Sequence, residues 1–182
     1  MKLTKKLLKK LSVIEKLVAR SVAQTRQDFI DSTILVDLPR VRNSYLNTMD
    51  RHIKEERQHG GALEALSSKE LTGTHELTKL PDMIKASGGR IGYISRIPLQ
   101  WRFCVMAALE KEAEHFYRAL SQSTTAYSFN ALNRIAEQEA GHSQYLLSMH
   151  RYLYPRTWWL TWCIARCVCS VGVAVLKQTP WR

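Results

Sequence analysis

Two Glu-x-x-His pairs, Glu56–His59 and Glu139–His142, constrain this chain more than any other feature. Three residues along an α-helix turn the chain by about 300°, so both side chains of a pair lie on one helix face. Each pair falls in line with the apolar stripe of its own stretch: Met49, Ile53, Leu63 and Leu66 around the first, and Phe129, Leu132, Ile135, Leu146 and Met149 around the second. Between them, Glu110 sits in the middle of a third stripe made by Leu99, Phe103, Met106, Ala113, Tyr117 and Leu120. Glu and His rarely occupy a buried helix face unless they are paired or bind metal, and an unpaired buried carboxylate costs several kcal/mol. One Glu from each of two helices, with a Glu-x-x-His from each of two others, is the ligand set of a di-iron or di-manganese site in a four-helix bundle. Mixed carboxylate and imidazole ligation suits those metals.

Spacing alone is weak support. The Glu and His content gives roughly 0.4 chance matches in a chain of this length, and Glu112–His115 is a third match with a poorer placement. The stronger signal is that ionisable groups lie on apolar stripes in three successive helices. The competing reading is a polar core of Glu, His and Arg pairs. The first helix should supply one more carboxylate, about as far before its turn as Glu56 lies after it. A turn near Val41 to Ser44 puts that ligand near Arg26 to Asp28, which makes Asp28 the nearest carboxylate; Asp31 and Glu15 fit less well.

The remaining chain supports an all-α protein, a four-helix bundle with an additional amphipathic or apolar C-terminal helix. It reads as one domain over residues 1–182, with a basic amphipathic segment (1–20), a bundle core (21–152) and an apolar helix (156–177). In the first segment Leu3, Leu7, Leu11, Ile14 and Val18 form one stripe among lysines. That pattern serves either a membrane-surface helix or a first bundle helix packing by its stripe. A secretory signal would need an uninterrupted apolar region, and none is present. Helix continues over 21–37, and Pro39 breaks or restarts the pattern. Further helices are expected at about Val41–Leu66, Pro98–Ser121 and Tyr127–Tyr152, with irregular chain over 67–96. Gly60 and Gly61 either allow close packing beside His59 or fray the helix.

From Thr157 to Leu176 the chain is apolar with one charge, Arg166. Its length is enough to span a bilayer, but Arg166 near its middle costs about 3 kcal/mol there. A helix lying in the membrane plane is expected instead, with Trp158, Trp159 and Trp162 at the headgroup level; the alternative is a helix packed on the bundle. A formal net charge of +11 implies an acidic partner surface. Anionic lipid fits better than nucleic acid, because no aromatic residues interleave with the basic ones as in a recognition module. Cys104, Cys163, Cys167 and Cys169 show neither a disulfide framework nor paired zinc spacing and read as buried free thiols.

Three segments, EERQH (Glu55 to His59), ALEKEAEHFY (Ala108 to Tyr117) and the Glu-x-x-His in EQEAGH, resemble the demethoxyubiquinone hydroxylases, ferritin-like di-iron enzymes of ubiquinone biosynthesis. The resemblance covers roughly Tyr45 to Met149; the family's first-helix D-H-A-G-E has no counterpart. What it implies is a ferritin-like bundle holding two irons on Glu56, His59, Glu110, Glu139 and His142. It also implies dioxygen as co-substrate and hydroxylation of a polyprenyl quinol. Tyr117 and His115 match family positions and would serve an electron or proton relay. Partners would be an electron donor and a lipid-presenting protein of the same pathway. The place would be the matrix face of the mitochondrial inner membrane, bound peripherally, or the cytoplasmic face of a bacterial membrane. A non-catalytic scaffold of the same fold is the alternative, favoured by the absent first-helix Glu.

Overall fold

The computed structural model describes residues 5–68, 97–122, 124 and 126–178; the expected irregular stretch lies outside them from residue 69 to 96. The described residues form five helices and no strand: α1 (Lys5–Asp31), α2 (Pro39–Ser68), α3 (Leu99–Ser121), α4 (Ala126–Leu153) and α5 (Trp158–Gln178). The chain is thus all-helical, as its stripes require. Helix α1 begins within the basic segment, whose Leu7, Leu8 and Leu11 are buried in the core. Its apolar stripe is therefore used by the bundle.

Pro39 restarts the helix: it opens α2, where its missing N–H leaves no unmet bond. The turn comes earlier than the expected Val41 to Ser44. The chain turns within Ser32–Leu38, where Leu35 adopts a left-handed φ of 59°. The end of α1 would leave carbonyls without partners. The Arg42 guanidinium meets carbonyls of the last turn of α1 and of the turn after it, donating to Phe29 (3.1 Å), Ile30 (2.5 Å), Ser32 (3.1 Å) and Ile34 (2.6 Å). Helices α1 and α2 then run antiparallel: Arg26 pairs with Asp50 near the turn, and Lys16 with Glu64 farther along. Gly60 allows this approach, since a Cβ there would lie 3.2 Å from the Ser12 carbonyl oxygen; at Gly61 a Cβ would meet nothing.

Helices α3 and α4 form the second pair, tied by Ser143 Oγ donating to the Ala107 carbonyl at 2.8 Å. The core divides into two apolar layers. One gathers Val22, Phe29, Met49, Ile53, Phe103, Met106, Leu146 and Met149. The other gathers Leu7, Leu8, Leu11, Leu63, Leu66, Tyr117, Leu120, Leu132 and Ile135. Along the four helices, Glu15, Glu56 with His59, Glu110 and Glu139 with His142 fall between the contributions to these two layers, so burial of the layers holds a polar band at mid-height.

Helix α5 packs on α3 through Ala165 against Cys104 and Ala108. Arg166 donates to Glu112 at 2.7 Å, which meets its charge at the protein surface. Contrary to expectation, two cysteines of this helix, Cys163 and Cys167, are exposed free thiols; only Cys104 is fully buried. The three tryptophans divide as well. Trp162 packs into the core with Arg166 over its ring, Trp158 lies beneath Arg151, and Trp159 points outward at 56% exposure. No described helix is long and apolar enough to cross a membrane.

Candidate metal centre

The polar band contains two overlapping groups of donor atoms, each within 4.8 Å of one another: His52, Glu56, Glu110 and His142, and Glu15, Glu56, His59 and Glu139. All seven residues are buried, and Glu56 belongs to both groups. The five residues expected from the Glu-x-x-His pairs and from Glu110 are brought together. The first-helix carboxylate among them is Glu15, not Asp28. Glu15 precedes the end of α1 by 16 residues and Glu56 follows the start of α2 by 17, so the two face each other across the hairpin. Asp28 lies 13 residues farther on, about 20 Å along the helix, and its carboxylate pairs with Arg102 and accepts from Gln24 at 2.7 Å. Burial acts against charge on Asp28, yet hydrogen bonds from Arg102 and Gln24 together hold its carboxyl below its usual range.

The spacing of the donor atoms is that of ligands around shared ions. Two donors each about 2.1 Å from one ion lie about 3.0 Å apart at a right angle and about 4.2 Å apart when opposed. His142 Nδ1 is 2.9 Å from Glu56 Oε1 and 3.5 Å from Glu139 Oε2. His59 Nδ1 is 3.0 Å from Glu139 Oε1, 3.8 Å from Glu56 Oε2 and 4.0 Å from Glu15 Oε2. Close as they are, five of these atoms have no aligned hydrogen-bond partner: Glu56 Oε2, Glu139 Oε1 and Oε2, His59 Nδ1 and His142 Nδ1. Buried polar atoms are almost always satisfied. Five neighbours left unmet together, all of ligand type, fit a pair of divalent cations.

The outward nitrogens have partners. His59 Nε2–H donates to Gln138 Oε1 at 3.1 Å and His142 Nε2–H to Glu55 Oε2 at 2.8 Å. Fixing one nitrogen as the donor leaves the other as a lone pair aimed inward, the usual way a metal-binding imidazole is oriented. Neither Gln138 nor Glu55 lies on an apolar stripe, so only the assembled pair of helices identifies them.

Without cations the band holds its charge balance with protons. Burial, then repulsion from Glu56 and Glu139, raises the Glu15 carboxyl well above its usual range; burial, then Glu139, does the same to Glu110. Burial acts against charge on Glu56 as well, yet contacts from His142, His52 and His59 hold it low. His59 is raised to about 11 and His142 to about 9, in each case by Glu139 and Glu56 against the effect of burial. Cations would replace these protons, since metal ligands must be deprotonated.

Of the two expected relay residues, Tyr117 is buried and its O–H donates to Glu15. His115 is exposed. Five residues from Glu110 along a helix is about 140° of rotation, which turns His115 away from the band, whereas seven residues returns Tyr117 to it. Two residues escaped the sequence reading. His52 lies one turn before Glu56 on the same stripe, a spacing that was available to see. Tyr145, one turn after His142, reaches His52 Nδ1 only through the tertiary packing of α4 on α2.

A cavity of about 190 Å³ opens beside His52 and His142, bounded by Thr48, Arg51 and Glu55 of α2 and by Gln138, Gly141 and Tyr145 of α4. Comparison with protein-family models, with curated proteins and with solved structures found no match to this chain.

Proposed function

We propose that this chain is a ferritin-like di-iron monooxygenase that hydroxylates a demethoxylated polyprenyl quinol at a membrane surface. The observation that carries the metal reading is the set of five unmet ligand atoms buried between four helices. Iron and the quinol substrate rest on the resemblance of residues 45–149 to the demethoxyubiquinone hydroxylases. Glu15 lies among the donor groups as a first-helix carboxylate, which supports the metal-binding reading over a purely scaffolding one.

When bound, two ferrous ions would supply the electrons and the open positions at which dioxygen is reduced. The residues of the chain provide the rest. Glu56, which belongs to both donor groups, would hold the ions together with Glu15, Glu110 and Glu139, whose carboxylates would offset their charge, and His59 and His142 are oriented by Gln138 and Glu55. Tyr117 fixes Glu15 through its O–H. The apolar layers above and below keep water from the band. The cavity beside His142 is small against ordinary ligand pockets of about 300–1,000 Å³, which suits one ring with its tail outside.

Membrane association is supported by α5. Its inward face packs on the bundle, while Trp159, Leu160, Ile164 and Val168 form an exposed apolar stripe on a chain whose formal net charge is +11. Aromatic and apolar residues of this kind lie at the headgroup level of peripheral helices.

The test is anaerobic reconstitution with ferrous ion, followed by oxygen and a demethoxylated quinol under reducing conditions. About two irons per chain and a hydroxylated quinol are expected, both lost in Glu110→Ala/Glu139→Ala. Two irons without hydroxylation would refute the substrate; no specific iron would refute the di-iron reading and return the chain to a scaffold. Flotation with anionic vesicles, weakened by Trp159→Ser/Val168→Ser, tests the surface.

A further inference from the structure

The Glu-x-x-His pairs account for two imidazoles, but three lie in the metal centre. His52 has a side chain with 0% exposure. Its Nε2 is 3.1 Å from Glu56 Oε1 and 3.5 Å from Glu110 Oε1, the same spacing that separates the other donor atoms. Its ring stacks on His142, with centroids 3.7 Å apart and planes 28° from parallel. Its second nitrogen, Nδ1, contacts Tyr145 Oη. Like His59 and His142, His52 has one nitrogen facing the carboxylates and the other against an outer polar group, but its inward Nε2, unlike their Nδ1 atoms, is hydrogen-bonded to Glu56 Oε1.

We infer that His52 is a third imidazole ligand, its Nδ1–H donated to Tyr145 Oη and its Nε2 directed with Glu56, Glu110 and His142 at one cation. This rests on the dinuclear metal reading above. Tyr145 is a positioning residue: by accepting from Nδ1–H it holds the tautomer that leaves Nε2 as a lone pair. The competing arrangement is the opposite tautomer, in which Tyr145 O–H donates to Nδ1 and Nε2–H donates to Glu56 Oε1.

A third imidazole makes the two positions unequal. One offers two imidazoles and two carboxylates. The other, through Glu15, Glu56, Glu139 and His59, offers one imidazole and three carboxylates. Imidazole favours later first-row ions such as Co²⁺ and Zn²⁺, whereas carboxylates suit Mn²⁺ and Mg²⁺. The nitrogen-rich position should bind Co²⁺ first, and the second ion should follow in a separate, weaker step.

The experiment uses Co²⁺ alone with the full chain under anaerobic conditions. Proton NMR of the loaded wild type counts exchangeable ring N–H signals shifted by the paramagnetic ion. Three are expected, one each from His52, His59 and His142; two would overturn the inference while leaving the dinuclear reading intact. Visible absorption titration is expected to show two resolved steps. His52→Gln should remove the tighter step and one shifted signal, and Tyr145→Phe should weaken it at least about tenfold. His52→Gln titrating like the wild type would overturn the inference. If His52→Gln does not fold, as judged by circular dichroism, the wild-type signal count still decides. Wild type that takes up no Co²⁺ would refute the dinuclear reading itself, and the inference with it.

Discussion

Glu15→Gln separates what a buried carboxyl does for metal binding from what it does to the fold. Burial, followed by repulsion from Glu56 and Glu139, raises the Glu15 pKa well above the carboxylate range, while in the unfolded chain it ionises near about 4.3. The folded value exceeds the unfolded one. The folded state therefore holds the extra proton, and stability declines as pH rises from about 4.3 towards the folded value. Each pH unit over which the folded state keeps a proton that the unfolded chain has released costs about 1.4 kcal/mol. Gln cannot ionise, and its amide oxygen still accepts from Tyr117. In a chelator, Glu15→Gln is expected to unfold above wild type at pH 7, by about 3–6 °C for each pH unit over which that proton is held, and at the same temperature near pH 4. Ferrous ion should reverse the order, because wild type gains about 2.7 kcal/mol per site at a hundred times Kd and the variant lacks a ligand. Thermal unfolding by circular dichroism at both pH values, with chelator and then with iron, is the assay. A metal-free variant no more stable than wild type at pH 7 would refute the idea that this carboxyl is held against its ionisation.

Three further outcomes test the frame around the centre. Asp28→Asn should leave the number of bound ions unchanged, because Asp28 serves Arg102 and not the polar band; loss of an ion by mass spectrometry of the native protein would contradict that. Leu8→Ala should cost about 2–5 kcal/mol in urea unfolding, since Leu8 is fully buried in the bundle; a near-neutral result would mean that α1 leaves the core. Arg42→Met should destabilise by about 1–3 kcal/mol, as four carbonyls of the last turn of α1 and of the turn after it lose their donor, and Arg42→Lys should rescue little because an ammonium cannot reach all four.

Residues whose role follows from their own helix were legible in the sequence. Glu56, His59, Glu110, Glu139 and His142 each lie on the stripe that their neighbours define, and helical periodicity is a local property. The all-helical class and the approximate limits of α2, α3 and α4 follow from the same periodicity. Residues whose role depends on how one helix faces another were not. In an antiparallel hairpin, each residue of error in the turn moves the facing partner by two. Placing the turn near Val41 to Ser44 instead of around Leu35 moved the expected ligand from Glu15 to Asp28. His115 followed a matched motif, yet rotation about α3 carries it to the surface. Tyr145, Gln138 and Glu55 acquire partners only when α2 meets α4. On α5, composition announced an apolar helix, but the packing of Ala165 on α3 decided which side faces the bundle and which side, with Trp159 and Val168, is left outward. The sequence by itself thus determined which faces of each helix are apolar and which ionisable groups must be buried; the turn lengths and interhelical packing, which no single stripe encodes, decided which of those groups meet.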